Sequence, residues 1–191
     1  MYRIGTHDSA TGERGGGLAS FVLTPFARTQ GRTVRGQYDA GCRLFDIRVR
    51  CIGGVWRCAH GLWRSARTAD DILEEIDGFE EPCIVTITLE DRVRDDVQLA
   101  AYRAYVDGLK GRLEHIMWGN VSVKYGAGSS LTCVRYDVVC ASEVVYVARQ
   151  GFLPLDGRSW HTYLPVPRIW KWLYHDRPVF DEVVYTIVDF L

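Results

Sequence analysis

Residues 83–90, CIVTITLE, form the most constraining segment of this sequence. Nearly every residue in it is apolar or β-branched, which favours a strand, and the lack of alternation with charged residues indicates that both faces are buried. A strand buried on both faces is typical of a parallel sheet that has helices packed on each side. The segment therefore predicts an α/β fold.

Helix signals stand on both sides of this strand. Thr68 followed by Asp71 has the spacing of an N-terminal capping box, which predicts a helix over ADDILEEIDGF. Residues 95–116 carry apolar side chains at four-residue spacing, which predicts an amphipathic helix. Its expected inward residues are Val97, Ala101, Tyr105, Leu109 and Leu113.

The other segments extend the alternation of strands and helices. Residues 12–35 are predicted to form a loop with an apolar patch, Leu18 to Phe26, inside it. Further elements are a short first strand before His7, strands over 42–50, 55–61, 136–148 and 182–191, and a helix over 167–175. No internal repeat or linker interrupts the pattern, so we predict one domain over residues 1–191.

Polar side chains collect where the predicted strands end. The set comprises His7, Asp8, Asp46, Arg48, His60, Glu90 and Asp189. Titratable side chains at the carboxyl ends of parallel strands are the arrangement of a TIM-barrel active site. Because such barrels have about 250 residues and this chain has 191, we predict a compact, distorted TIM-type (β/α) barrel with some short or missing helices.

This set of side chains suits phosphate chemistry. Two histidines can act as a base and an acid near neutral pH, and an arginine can hold a phosphate with two parallel hydrogen bonds. Carboxylates behind the histidines would fix their orientation and stabilise each imidazolium. The sequence contains no GxSxG nucleophile motif and no HExxH zinc motif. We therefore predict cleavage of a phosphodiester in which a hydroxyl of the substrate is the nucleophile.

Four segments carry a resemblance to a known family. GTHDSATG, GCRLFDIRVR, the WRCAHG loop and PCIVTITLED occur in that order, and together they resemble the X-region of phosphatidylinositol-specific phospholipase C. The match covers residues 1–92, weakens from 93 to 180 and recovers in YTIVDFL. The resemblance implies a distorted TIM barrel and cleavage of phosphatidylinositol to diacylglycerol and inositol 1,2-cyclic phosphate.

The resemblance also implies a role for each catalytic position. His7 would be the general base that deprotonates the inositol 2-hydroxyl, and His60 would be the general acid that protonates the leaving oxygen. Arg48 would bind the phosphate and offset charge in the transition state. Asp8 would support His60, and Asp189 would support His7.

The expected cofactor is none. In the calcium-dependent members of the family a carboxylate replaces Arg48 and an asparagine commonly follows the first histidine, so Arg48 and Asp8 resemble the metal-independent bacterial type. Asp46 and Glu90, which we place among the substrate-binding candidates, keep a calcium or magnesium site open as the alternative. Glu90 or Asp91 stands where some bacterial members have a lysine, and this departure bears on phosphate affinity or substrate choice.

The expected partner is a phospholipid at a membrane interface. No apolar stretch reaches 18 residues, so we expect peripheral contact, with Trp63 and the patch from Phe21 to Phe26 at the interface. Trp63 is also a substrate-binding candidate. A net charge of −1 gives no reason to expect nucleic acid. We expect a monomer in the cytoplasm, because the start MYRIGTHDS is not a signal peptide and the six cysteines show no pairing pattern.

Two other functions remain open from the sequence. One keeps the fold and changes the substrate, giving a metal-dependent phosphodiesterase of the glycerophosphodiester or sphingomyelin type. The other is a catalytically silent module that binds phosphoinositides or a protein. The short chain motivates this last reading, whereas the presence of all five catalytic candidates argues against it.

Overall fold

The computed structural model of the chain describes residues 3–125, 135–140, 143–149, 154–155, 158–159 and 184–188. Its strands are β1 (Arg3–Thr6), β2 (Cys42–Ile52), β3 (Val55–His60), β4 (Trp63–Thr68), β5 (Ile84–Arg92), β6 (Met117–Tyr125), β7 (Arg135–Cys140), β8 (Glu143–Arg149), β9 (Pro154–Leu155), β10 (Arg158–Ser159) and β11 (Val184–Val188). Its helices are α1 (Gly17–Ala27), α2 (Val34–Asp39), α3 (Ala69–Asp77) and α4 (Asp96–Lys110), with a 3-10 turn at Ser9–Gly12. The predicted helix over 167–175 lies outside the described residues.

Nine of these strands form one mixed sheet. Neighbours run parallel in the order β6, β5, β2, β1, β11 and β8. The pairs β2–β3, β3–β4 and β7–β8 are antiparallel, and β9 and β10 form a separate small ribbon. The predicted α/β class is confirmed. Within the described ranges β6 and β7 are not hydrogen-bonded to each other, so the closure of a barrel is not established.

Strand β2 changes one of its neighbours halfway along its length. One edge pairs with β5 from Leu44 to Val49, while the other edge pairs with β1 as far as Phe45 and with β3 from Val49 onward. Residues 46–48 therefore face a gap between the end of β1 and the start of the β3 pairing. The residues that directly follow β1 enter this gap.

The two faces of β2 have different surroundings because side chains alternate along a strand. Phe45, Ile47 and Val49 are fully buried in the main apolar core, which also takes in side chains from α2, α3, β5 and α4. Asp46 and Arg48 project from the opposite face. The sheet thus separates the helix-covered core from the polar side chains.

Three of the cysteines belong to the buried interior. Cys42, Cys58 and Cys83 are buried, whereas Cys51 is exposed. Burial raises the pKa of the Cys42 thiol to about 12 and that of Cys83 to about 11. These thiols are protonated at neutral pH and act as small apolar side chains.

The predicted capping box at the start of α3 is confirmed. The Thr68 hydroxyl accepts from the backbone N–H of Asp71 at 3.0 Å, and the Asp71 carboxylate accepts from the backbone N–H of Thr68 at 3.0 Å. Two N–H groups that a helix start leaves without partners are thereby satisfied. The helix that follows buries its apolar side against β3 and β4.

The inward face of α4 differs from the predicted one. Val97 is 78% exposed, and the buried residues of the helix are Tyr102, Val106 and Leu109. A four-residue step advances by about 400° around a helix, so a strict four-residue pattern drifts by about 40° at each step. Val97 and Leu109 share the pattern but stand well apart around the axis. The Tyr102 hydroxyl donates to the carbonyl oxygens of Ile87 and Ser122, which anchors the true inward face to the sheet.

The prediction of a loop over 12–35 was wrong. Helix α1 begins at Gly17, the last of three consecutive glycines (residues 15–17), and α2 begins at Val34, where the Thr33 hydroxyl accepts from Gly36 N–H at 3.2 Å. Gly16 precedes α1 with extended backbone. Helix propensity did not predict α1, because glycine and proline both disfavour helix interiors and the segment contains several glycines and Pro25.

None of the helices in the described residues is both long enough and apolar enough to span a bilayer.

Candidate active site

The turn after β1 fixes His7 and Asp8. Asp8 has a left-handed backbone (φ 45°, ψ 49°), a conformation that Asp and Asn tolerate better than most residues. Its carbonyl oxygen accepts from both the backbone N–H and the hydroxyl of Thr11 at 2.8 Å. This sharp turn directs the chain into the 3-10 turn. It leaves the side chains of His7 and Asp8 beside residues 46–48 of β2, in the gap between β1 and β3.

Two residues of β2 face this turn from the same side of the strand. Asp46 and Arg48 are two residues apart, so their side chains project together. The Asp46 N–H donates to the Ser9 hydroxyl at 2.9 Å, and the Asp46 carboxylate accepts from the Asp8 N–H at 3.2 Å. These two bonds lock the turn after β1 onto β2.

The Asp8 carboxylate lies at the centre of the cluster. Its side chain is buried, with Oδ1 2.6 Å from Arg48 Nε and Oδ2 3.4 Å from His60 Nε2. Oδ2 is also 3.5 Å from His7 Nε2. One buried carboxylate thus contacts a guanidinium from β2 and two imidazoles, one from the turn after β1 and one from the end of β3.

The two histidines have opposite surroundings. His7 Nε2 lies 2.6 Å from Arg48 Nη2, and since a guanidinium N–H only donates, this nitrogen accepts and carries no proton. His60 Nδ1 lies 2.7 Å from the carbonyl oxygen of Ala27, so this nitrogen donates, and its Nε2 faces the Asp8 carboxylate. His7 is therefore arranged to take up a proton, whereas both ring nitrogens of His60 face oxygen acceptors.

Glu90 connects the turn after β3 to Arg48 on β2. It lies near the end of β5 and is 1% exposed. Its Oε1 accepts from the Gly61 N–H at 2.7 Å, and its Oε2 is 3.8 Å from Arg48 Nη1. Glu90 therefore holds the turn after His60 while it adds negative charge beside Arg48.

Two residues that the sequence did not single out support His7. Thr29 Oγ1 donates to the His7 carbonyl oxygen at 2.8 Å, and Gln30 Nε2 donates to the same oxygen at 3.1 Å. Both lie in the segment between α1 and α2, where the sequence carries no motif. Only the folded path of the chain reveals their role.

Most of the sequence-predicted site residues come together. The structure collects His7, Asp8, Asp46, Arg48, His60 and Glu90 in one cluster. Asp189 lies outside the described residues, so its predicted support of His7 stays a prediction.

Trp63 departs from its predicted position. Its side chain is only 1% exposed and its indole nitrogen lies next to Gly15, so the expected place at a membrane interface was wrong. Alternation along β4 turns Trp63 inward and Arg64 outward. The exposed apolar residue of this turn is the preceding Leu62.

The same cluster offers oxygen and nitrogen donors for a cation. His7, Asp8 and Asp46 each provide one ligand atom, and these atoms lie within 4.8 Å of one another. The guanidinium of Arg48 already stands among them, 3.4 Å from Asp46 Oδ2 and closer still to Asp8. A divalent cation would compete with this fixed positive charge for the same carboxylates.

No protein-family model matches the chain, and no curated protein matches it. Among solved structures the chain is similar to the phosphatidylinositol-specific phospholipase C of Staphylococcus aureus. A double mutant of that enzyme aligns with a TM-score of 0.51 and 15% identity, covering 78% of this chain and 59% of the other. A structure from work on the membrane binding of the same enzyme aligns with a TM-score of 0.51, 14% identity, and coverage of 78% and 60%.

The similarity concerns the fold. This chain spans about three fifths of the length of the S. aureus structures it matches. At this level of identity the alignment shows a shared fold, and the chemistry has to be argued from the side chains of this chain.

Proposed function

We propose that this chain is a phosphodiesterase of the phospholipase C type that cleaves phosphatidylinositol or a related glycerophospholipid into diacylglycerol and inositol 1,2-cyclic phosphate. The observation that carries the proposal is the opposite surroundings of the two histidines. His7 presents an unprotonated nitrogen, while His60 faces acceptors through both of its nitrogens. Such a pair can remove one proton and deliver another within a single displacement.

In the proposed first step, His7 takes the proton of the inositol 2-hydroxyl, and the oxygen attacks phosphorus in line. The hydroxyl would occupy the position that Arg48 Nη2 takes beside His7 Nε2 in the free protein. The guanidinium would then turn to the phosphate, where it offsets the charge that develops on the non-bridging oxygens. Arg48 stays tethered through its Nε to Asp8 during this change.

In the proposed second part of the displacement, His60 Nε2 protonates the diacylglycerol oxygen as the bond to phosphorus breaks. The bond from Nδ1 to the Ala27 carbonyl oxygen holds the ring in one orientation. The Asp8 carboxylate stabilises the imidazolium before the proton leaves. Asp189 is proposed to support His7.

We propose that no metal ion takes part. A guanidinium within 2.6 Å of Asp8 and 3.4 Å of Asp46 supplies the positive charge that a cation would otherwise bring. Calcium or magnesium held by Asp46 and Glu90 is the alternative. We also propose that the parallel row of strands closes into a distorted TIM-type barrel, which an experimental structure with β6 paired to β7 would test.

Phosphorus NMR of the protein with phosphatidylinositol micelles in excess EDTA tests the function. We expect the cyclic phosphate to appear, and to be absent with His7→Ala and with His60→Ala. His115→Ala is the matched control, because this histidine is exposed and its side chain takes no part in the cluster. Circular dichroism of each variant excludes unfolding as the cause.

The other outcomes separate the remaining functions. Product that appears only when calcium or magnesium is added would reject the metal-independent mechanism and point to Asp46 and Glu90. Cleavage only of lipids without inositol would favour the glycerophosphodiester or sphingomyelin type. Lipid binding without turnover under any condition would leave a catalytically silent binding module.

A further inference from the structure

We propose that residues 27–30, which begin at the last residue of α1, position both histidines of the candidate active site at once. We call this segment the strap, and Thr29 is its principal positioning residue. The strap acts through the backbone of His7 and through the ring of His60. The catalytic consequence rests on the proposed function, whereas the positioning itself can be measured without any turnover.

One end of the strap holds the imidazole of His60. The carbonyl oxygen of Ala27 lies 2.7 Å from His60 Nδ1 and accepts its proton in a hydrogen bond. This bond fixes the ring orientation and places a proton on Nδ1, so that Nε2 is the nitrogen that faces the Asp8 carboxylate at 3.4 Å. The acceptor is a main-chain atom, so its position depends on the path of the strap and not on a side-chain rotamer.

The other end of the strap holds the peptide unit that joins His7 to Asp8. The carbonyl oxygen of this unit accepts from Thr29 Oγ1 at 2.8 Å and from Gln30 Nε2 at 3.1 Å. The N–H of the same unit donates to Asp46 Oδ2 at 3.2 Å. Because the carbonyl and the N–H of a trans peptide point in opposite directions, the strap and β2 hold this unit from opposite sides.

The orientation of this peptide unit decides where the Asp8 carboxylate points. Asp8 is the only non-glycine residue with a positive φ in the part of the chain that the structure describes, and such backbone persists where surrounding contacts over-determine it. Rotation of the peptide unit would change φ of Asp8 and move its carboxylate, which contacts Arg48 and both histidines. Loss of the bonds to the His7 carbonyl oxygen should therefore disturb the whole cluster.

The strap is itself fastened to the 3-10 turn. Thr11 Oγ1 accepts from the backbone N–H of Thr29 at 3.0 Å and from that of Gln30 at 3.2 Å. Arg28 Nη2 donates to the Gly12 carbonyl oxygen at 2.6 Å, and Arg28 Nε donates to the Gln30 carbonyl oxygen at 2.9 Å. These bonds hold the strap to the turn that follows the catalytic residues, so its two ends keep a fixed separation.

Kinetics with phosphatidylinositol micelles test the catalytic consequence on the full chain. Thr29→Val keeps the branched shape and removes the hydroxyl donor, and it should lower kcat by about 10–100-fold, because small displacements of reacting groups are costly. KM should change little, since the bond that is lost does not bind substrate. Thr29→Ser retains the hydroxyl and should restore most of kcat. Thr33→Val is the matched control, because it removes a threonine hydroxyl that accepts from Gly36 N–H at the start of α2 instead.

Imidazole NMR of the free protein tests the positioning without turnover. Long-range proton–nitrogen spectra, assigned with His7→Ala and His60→Ala, report which ring nitrogen carries a proton. We expect Thr29→Val to shift the resonances of both rings, because Asp8 contacts both, and we expect Thr33→Val to leave them unchanged. Gln30→Met removes the second donor to the same carbonyl oxygen and should also shift both rings. This variant carries the test if circular dichroism shows that Thr29→Val is unfolded.

Three results would overturn the role of the strap. These are equal kcat for folded Thr29→Val and Thr33→Val, imidazole spectra that neither Thr29→Val nor Gln30→Met changes, and a loss of kcat in Thr29→Ser as large as that in Thr29→Val. The two measurements also keep this role separate from the proposed function. Spectra that change as expected in a chain that cleaves no phosphatidylinositol would reject the proposed function alone. Cleavage by a chain whose imidazole spectra do not respond would reject the strap alone.

Discussion

Replacing Asp8 by Asn isolates the charge at the centre of the site. The amide has the shape of the carboxylate, and Asn tolerates the left-handed backbone that Asp8 adopts (φ 45°), so neither packing nor backbone strain should change. What changes is the contact with Arg48 Nε at 2.6 Å and with His60 Nε2 at 3.4 Å.

The effect on stability follows from the partners that remain. Arg48 Nε and Asp8 Oδ1 form an ion pair, so the exchange for a neutral amide removes one of the three carboxylates that face this guanidinium, and we expect a loss of less than about 3 kcal/mol. A buried charge left with no partner would cost about 3–5 kcal/mol. Arg48 would still have charged partners in this variant, because Asp46 Oδ2 lies 3.4 Å from its Nη2 and Glu90 Oε2 lies 3.8 Å from its Nη1.

The effect on activity should be larger than the effect on stability. Without the carboxylate the imidazolium of His60 loses its counter-charge, and we expect turnover to fall by about 10²–10⁴-fold, the usual contribution of a general acid. Urea unfolding followed by circular dichroism measures the change in stability, and phosphorus NMR with phosphatidylinositol measures the change in turnover. Asp8→Ala serves as the comparison, because it should lose about 1–2 kcal/mol more through its left-handed backbone.

Two results would refute this reasoning. A loss above about 3 kcal/mol for Asp8→Asn would mean that Asp46 and Glu90 do not share the charge of Arg48. Unchanged turnover would mean that Asp8 does not support His60, and the proposed roles of both residues would fall together.

Three further predictions concern other parts of the fold. Hydrogen bonds from Thr68 hold the pKa of Asp71 below its ordinary 3.8, so the stability this carboxylate adds is complete above that value and is lost as the pH falls through its lower folded pKa. The advantage of wild type over Asp71→Asn in urea midpoints should therefore shrink in acid, and a constant difference would contradict this. Iodoacetamide at pH 8 should label the exposed Cys51 well before the buried Cys42, whose pKa is about 12, and peptide mass mapping that shows equal labelling would contradict the burial. Gly12→Ala should lose about 3 kcal/mol in urea unfolding, because its Cβ would overlap a backbone carbonyl oxygen of the loop before α2, and a near-neutral result would disprove that packing.

The sequence predicted the site residues well, because short local patterns along the chain identify the strands that carry them. His7 and Asp8 follow β1, Asp46 and Arg48 lie within β2, His60 ends β3, and Glu90 lies near the end of β5. Each of these strands has a local sequence pattern that predicts it. Parallel pairing brings β1, β2 and β5 side by side, and the antiparallel pairing of β3 with β2 brings His60 to the same cluster. The contacts among these side chains follow from topology more than from any long-range detail of packing.

The sequence was a poor guide where the local pattern and the tertiary contacts disagree. The glycine run and Pro25 indicated a loop, yet packing of Ser20 against β4 supports α1, with the Ser20 hydroxyl accepting from the Arg64 N–H at 3.1 Å. Trp63 was expected outside because its neighbours are charged, but strand alternation decides its direction. The hydrogen bonds from Thr29 and Gln30 to the His7 carbonyl oxygen could not be predicted from the sequence, because they depend on the folded path of the chain.

The place of β1 in the sheet also sets the order in which this protein can be assembled. β1 lies between β2 and β11, with Arg3 beside Tyr185 and Thr6 beside Val188. At about 5–20 residues per second, the ribosome needs roughly 10–40 s after β1 to deliver β11. During that interval the strand that positions His7 has only one neighbour. β1 consequently acquires its second neighbour only at the end of synthesis, and a nascent chain stalled before β11 should carry α1 to α4 with β1 paired on one side only.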